Sequence, residues 1–473
     1  MKNNAVRSLL LLLVLLGIGS AIPAQQAVHR LSAREAVQKA LQNLPELKNL
    51  RLDYSIAVAR NKEIVGAAYP QISGNVQMNR FLDIPVTPLP DFITPQVYGV
   101  LSDEKVQNSQ TGQLIQVPQT DPRIIPAQFG VPWTAQAGFS VQWLLFQPEV
   151  FAGILARKEV LNFSDKNITV AEDKAKENVL NAYYLILVTE QQLELINTGV
   201  QRLEKLYLDL QQMYRNGFSE KLDVDRTLVA RNNIRSTQAQ LNNSLALAYA
   251  SLKLATGLPQ ADSLVLTDRL TPEVIKQQLP DTKGFNYENR SEIRLLLSAK
   301  RLQEYDLKRY QLQKYPTVAT FWNYNRSAFR QEFNFFNSGS QFQWFPSSIL
   351  GVSLQVPIFS GTARLQRVKQ AHLKIEQVDN NLLQTKMLID FQLEQARISY
   401  RNAVLELDAN EKNMELAESV FNFSKKRFEA GLGTSFEVIN AENEWQTAQS
   451  NYLRSLYNAV QAQLAWKRAT GTL

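Results

Sequence analysis

The hydrophobic and polar positions of this chain fall into two kinds of pattern that alternate along it. Leu193, Ile196, Val200, Leu203, Tyr207, Leu210 and Tyr214 recur at spacings of three and four, a heptad seam of the coiled-coil kind. A looser seam runs through Leu407, Met414, Ala417, Phe421 and Phe428. No proline occurs between Pro148 and Pro259, and neither glycine nor proline occurs over the 69 residues from Thr362 to Ala430. Both residues break helices, so two very long helices are predicted, each on the order of 100 Å at 1.5 Å per residue. Such helices call for an elongated bundle or tube.

The second pattern has period two. Ile72, Gly74, Val76 and Met78 alternate with Gln71, Ser73, Asn75, Gln77 and Asn79, and Ala137, Phe139, Val141 and Trp143 alternate with Gln136, Gly138, Ser140 and Gln142. Later, Val318, Thr320, Trp322 and Tyr324 share one face, and Leu350, Val352, Leu354 and Val356 alternate with Gly351, Ser353 and Gln355. Segments of ~10 residues with one apolar and one polar face suit a barrel in an outer membrane. An ordinary half-buried sheet shows the same alternation. Four strands cannot close a barrel, since small closed barrels have ~8, and open edges in lipid leave backbone groups unpaired at several kcal/mol each. Three copies would supply twelve.

The two patterns recur in one order. Asn43-Leu44-Pro45-Glu46-Leu47 is echoed at Asn289-Arg290-Ser291-Glu292-Ile293, and Tyr69-Pro70 at Tyr315-Pro316, both 246 positions on. Gly217 then matches Gly431, Val224 matches Val438, and Lys253–Gly257 matches Lys467–Gly471, all at 214. The first copy therefore carries about 32 extra residues between Pro70 and Phe146. The plan is an internal duplication. Residues 25–258 form a first repeat with helix, strand hairpin 70–146, long helix, glycine turn at 217 and helix. Residues 288–473 form a second with strand hairpin 316–359, long helix, glycine turn at 431 and helix. Residues 259–287 read as a linker, a collar around the helices. Residues 84–132, with eight prolines, read as a loop. The matching loop, about Ser327 to Pro346, is rich in aromatics that suit either a membrane-interface girdle or packing on one another.

Lys2 and Arg7, the apolar run Leu9–Ile18 and the small residues up to Ala24 have the order of a secretory signal peptide over 1–24. The run is too short for the ~20 apolar residues of a spanning helix. Composition then narrows the chemistry. There are no cysteines and two histidines, His29 and His372, which argues against disulfides, thiolate or histidine metal sites and the usual nucleophile–base pairs. No cofactor or metal is expected, and no enzyme. Acidic residues on the helices, such as Glu172-Asp173 and Glu442, read as solvated faces. The net charge of +7 is spread along the chain without a basic run, so nucleic acid is not an expected partner.

The doubled order of Asn43–Leu47, the Tyr-Pro pairs and the glycine turns Tyr214-Arg-Asn-Gly217-Phe-Ser-Glu-Lys-Leu-Asp223-Val224 and Phe428-Glu-Ala-Gly431-Leu-Gly-Thr-Ser-Phe-Glu437-Val438 resembles the TolC-type outer-membrane efflux proteins over essentially the whole mature chain. The resemblance implies a mainly α fold with a pair of β-hairpins per chain. Three chains share a twelve-stranded transmembrane β-barrel and a long α-helical barrel in the periplasm. It implies a passive exit duct of a tripartite efflux or secretion system, a homotrimer in outer-membrane lipid that meets a periplasmic adaptor and an inner-membrane pump. A structural or adhesive coiled-coil protein of the envelope is the alternative. The turns would close the pore and dock the adaptor, through Gly217, Phe218, Gly431, Leu432 and Gly433. Relatives narrow the pore with an acidic pair, matched here by Glu437 and Asn440, so one ring of carboxylates is expected instead of two. Asp223 matches an acid in the closing links, but its expected tyrosine and arginine partners are here Phe428 and Gly433. Neither can donate from a side chain. The closed state is then expected to be held otherwise, through nearby Arg215, Lys221, Lys425 or Lys426.

Overall fold

The computed structural model describes residues 28–116, 124–128, 130–271 and 285–473. The expected signal sequence 1–24, Pro118 and Pro122 of the proline-rich segment, and part of the 259–287 linker lie outside the described residues. In chain order the elements are β1 (Val28–Leu31), α1 (Ala33–Asn43), α2 (Pro45–Gly66), β2 (Gln71–Arg80), β3 (Val86–Pro90), α3 (Ile93–Asp103), β4 (Ile124–Gln128) and β5 (Trp133–Phe146). There follow α4 (Pro148–Arg215), α5 (Lys221–Thr256), β6 (Ser263–Leu266), α6 (Ser291–Leu312), β7 (Thr317–Arg330), β8 (Phe345–Gln355), α7 (Ala363–Glu429) and α8 (Ser435–Thr470). The chain divides into two compact units. One is built from the described residues up to Ala59, within Ala156–Glu304 and from Lys369 onward, the other from those within Arg60–Leu155 and Tyr305–Val368.

The first unit is helical. Its main core gathers Tyr183 and Ile186 of α4, Leu252 of α5, Leu407 of α7, and Leu456 and Ala459 of α8. Ile196, Leu203 and Leu210 of the α4 seam are buried, whereas Tyr214 at its end is exposed. The Tyr183 hydroxyl shares its one proton between Leu31 O (3.0 Å) and Asp268 Oδ2 (3.0 Å), and Asp268 also accepts from Ala33 N. Burial, and then the Asp268 hydrogen bond, push the Tyr183 phenol above its ordinary range.

The motif Asn43–Leu47 is the break between α1 and α2. Leu44 is extended and Pro45 opens α2, where its missing N–H would have had no helical partner anyway. Against each such break sits the end of a later helix. Gly257, after α5, has φ +68° and lies so close to Asn43 that a Cβ would be 2.9 Å from its carbonyl carbon. Gly471, after α8, has φ +71° and stands in the same relation to Asn289, with a Cβ 2.6 Å from its carbonyl oxygen. Both the left-handed backbone and the close approach demand glycine. The 259–287 linker is more than a connection, for β6 within it pairs in parallel with β1. Four residues are too few to show a period.

The second unit is built on a four-stranded antiparallel sheet in the order β2-β5-β7-β8. Its register sets whole rows of side chains on one face. Ile72, Val141, Trp322 and Leu350 form one row across all four strands. On the opposite face lie Ser73–Ser140–Asn323, then Asn75–Gly138–Asn325, then Gln77–Gln136–Ser327. The Ser73 and Ser140 hydroxyls are 2.7 Å apart across the polar face. The apolar rows are open: Ile72 is 74%, Leu350 77% and Val352 71% exposed. Among the described residues, the outer strands β2 and β8 each leave one edge unpaired.

The proline-rich segment departs from the expected loop. Within it β3 and β4 pair antiparallel, with Pro88 opposite Pro126, and α3 begins where Asp91 Oδ1 accepts from Thr94 N (2.9 Å). Proline is tolerated in a first helical turn and in a two-stranded edge, so Pro95 and Pro88 break neither. The aromatic loop is shorter than expected, since β7 runs to Arg330 and β8 starts at Phe345. Its rings pack on one another: Phe333 stands edge-on to Trp133 (5.1 Å) and Phe335 (5.6 Å). No helix among the described residues is long and apolar enough to cross a membrane.

Candidate functional site

The two glycine turns of the helical unit are built alike. After α4, Phe218 N donates to Met213 O (2.8 Å) and Gly217 has φ +79°; after α7, Leu432 N donates to Arg427 O (2.9 Å) and Gly431 has φ +73°. This six-to-one bond over a left-handed residue is the Schellman closure of a helix. It throws the next side chain outward, leaving Phe218 79% and Leu432 73% exposed. Thr434 then caps α8 by accepting from Glu437 N (3.2 Å).

Asp223, in the first turn of α5, accepts from Ser435 Oγ at 2.6 Å and from Ser219 Oγ at 3.3 Å. The carboxylate thereby ties the start of α5 to the start of α8. None of Arg215, Lys221, Lys425 and Lys426 pairs with it; Lys425 lies instead 3.9 Å from Glu429. The sequence singled out the acid but not its donor, since the family comparison directs attention to positions 428 and 433. Phe428 is half-buried with Phe421, Val438 and Ala441. Gly433 passes close to its neighbours, where a Cβ would be 3.2 Å from both Glu437 Oε2 and Phe428 N. Glu437 is half-exposed and 3.6 Å from Arg427, whose other nitrogen donates to Leu432 O (3.0 Å). Asn440 is exposed one turn on.

Five residues beyond Glu437, Glu442 corrects the expectation of a solvated acid. It is 1% exposed. Arg202 of α4 grips it with two hydrogen bonds, Nε to Oε2 at 2.9 Å and Nη2 to Oε1 at 2.7 Å, and Gln446 Nε2 adds a third at 2.9 Å. The guanidinium lies 4.3 Å from the Trp445 ring, which stacks on Phe421 of α7. A buried carboxylate survives only with such pairing. Its signal in the sequence is its place in the apolar stripe Val438, Ala441, Trp445, where a helical period puts an inward face. By contrast, Glu172 and Asp173 are partly exposed and paired with Arg51 and Lys176.

The arrangement is a set of ties among α4, α5, α7 and α8. The sequence profile of the family described as "Outer membrane efflux protein" matches residues 296–472. The alkaline protease secretion protein AprF of Pseudomonas aeruginosa is 21% identical, over 70% of this chain and 67% of its own. The outer membrane protein TolC of Vibrio cholerae is 20% identical, over 71% and 76%. Among solved structures, the CmeC outer membrane channel of Campylobacter jejuni aligns with a TM-score of 0.69 at 12% identity, covering 93% of this chain and 85% of that one.

Proposed function

We propose that this chain is a TolC-type outer-membrane efflux protein, as its profile match and relatives support, and from that premise that it is the homotrimeric exit duct of a tripartite efflux or secretion assembly. As in the family, the sheet unit lies in the outer membrane and the helices in the periplasm. The relatives named above are secretion and outer-membrane proteins, which favours the duct over the adhesive coiled-coil alternative. The observation that carries the reading is the sheet itself: an exposed apolar face, a polar opposite face, and two unpaired edges. Lipid tolerates no open edge, so β8 of one protomer pairs with β2 of the next and three copies close twelve strands. The polar rows of Ser73, Asn75 and Gln77 then line the lumen. The duplication into 25–258 and 288–473 joined by 259–287 is supported by the matched glycine contacts at Asn43 and Asn289.

The turns occupy the periplasmic mouth. Phe218 and Leu432 are the apolar tips an adaptor grips, held by Gly217, Gly431 and Gly433. The oligomeric mass of detergent-extracted protein tests the whole: a trimer resistant to mild denaturant is expected, and a monomer soluble without detergent would end the duct reading. Glu437 forms the ring of three carboxylates that sets ion preference, with Asn440 lining the next turn uncharged and Phe428 backing the ring from the helix interface. Because Arg427 stands 3.6 Å from Glu437 and opposes its field, the two variants are expected to act in opposite directions. Glu437→Gln lowers the cation-to-anion permeability ratio in planar bilayers and Arg427→Gln raises it. Unchanged reversal potentials in both would remove Glu437 from the filter.

A further inference from the structure

The apolar face of the sheet ends in positive charge. Arg326 shares that face with Trp322 and Tyr324, and Arg80 and Arg330 lie in one row with Trp133 between them. From Val318 to Arg326 is eight residues, about 27 Å along the strand and about 20 Å at a barrel tilt of ~40°. That approaches the ~25 Å height of a lipid-facing band. The strands leave the helices at Gln71 and Thr317, so these arginines stand at the far, outer-leaflet end. Arg80 and Arg326 are exposed, and the Arg80 guanidinium rests 5.4 Å from the Trp133 ring. Arg330 is buried, with its two terminal nitrogens donating to Phe329 O and Gln343 O and its Nε without a partner. Among the described residues no carboxylate comes within 4.0 Å of any of the three. Interior lipid does not stabilise such charge; headgroup phosphates do.

We propose that this rim binds the phosphorylated headgroup of an outer-leaflet lipid. Arg80 and Arg326 are its exposed donors, and Arg330 adds a fixed charge beneath the aromatic loop. Charge-assisted, forked hydrogen bonds from guanidinium to phosphate supply the recognition. The inference rests on the outer-membrane placement, so trimer mass and channel insertion into planar bilayers are measured first; failure there sinks the placement itself. The test is native mass spectrometry of the intact trimer with bisphosphorylated lipid A, with the same lipid dephosphorylated, and with inorganic phosphate as competitor. Wild type is expected to retain the phosphorylated lipid at least about tenfold more strongly than the dephosphorylated one. The Arg80→Gln/Arg326→Gln variant is expected to lose that preference while conducting normally. Equal retention of both lipids, or a preference untouched in the variant, overturns the proposal. Displacement of the lipid by millimolar phosphate overturns it too, because the site would then be one for the free anion.

Discussion

Glu442→Ala shifts the denaturation midpoint of the helical unit downward by the equivalent of about 3–5 kcal/mol, the usual result of stranding one partner of a buried ion pair. The variant leaves Arg202 with no acceptor for two of its nitrogens, in a pocket walled by Trp445 and Phe421. Gln446 loses its acceptor as well. Arg202→Ala is expected to be at least as damaging, because the carboxylate it leaves is almost wholly enclosed. The double replacement Arg202→Met/Glu442→Leu recovers most of the loss, since a well-packed apolar pair often equals or exceeds a buried ionic one. Tryptophan fluorescence during guanidinium unfolding of the detergent-solubilised protein follows the change. A Glu442→Ala midpoint within about 0.5 kcal/mol of wild type would show that water reaches the pair and that its enclosure is not maintained in solution.

That pair marks a limit of what the amino-acid order conveys. The long helices are legible because helix is a local property: 69 residues without glycine or proline, and a seam at Ile196, Leu203 and Leu210, leave little alternative. The strands are legible for the same reason, because alternation within ten residues already chooses the face. What escapes is contact between distant segments. Nothing near Arg202 indicates that a residue 240 positions on will meet it. Only the position of Glu442 within an apolar stripe hints at enclosure, and a charge there is easily taken as the helix's wet side. The proline-rich segment misleads in another way, since proline is read as a breaker although an edge strand and a first helical turn both accept it. The composition of the aromatic loop suits a membrane girdle and self-packing equally well. Its rings pack on one another, which its composition did not decide.

In the duct proposed above, the tie between Asp223 and Ser435 is where gating is expected to be most sensitive to one atom. The family's expected donors are missing at Phe428 and Gly433, yet the acid is not idle. A hydroxyl two residues beyond Gly433 reaches it at 2.6 Å. A hydrogen bond to an ionised carboxylate contributes about 1.5–3 kcal/mol, and the proposed trimer would hold three such ties. If the helix pairs separate in concert as the mouth widens, three bonds at the lower value amount to about 4.5 kcal/mol, a shift on the order of a thousandfold between closed and open states. Ser435→Ala is therefore expected to convert a mostly closed channel into one that is open for much of a planar-bilayer recording. Asp223→Ala acts at least as strongly, because the Ser219 bond is lost too. Ser435→Thr keeps the hydroxyl and is expected to behave as wild type, which separates the bond from any general loosening of the turn. Closed-state conductance that stays low in both alanine variants would mean the tie persists in the open pore, and the closing force would then have to lie between protomers.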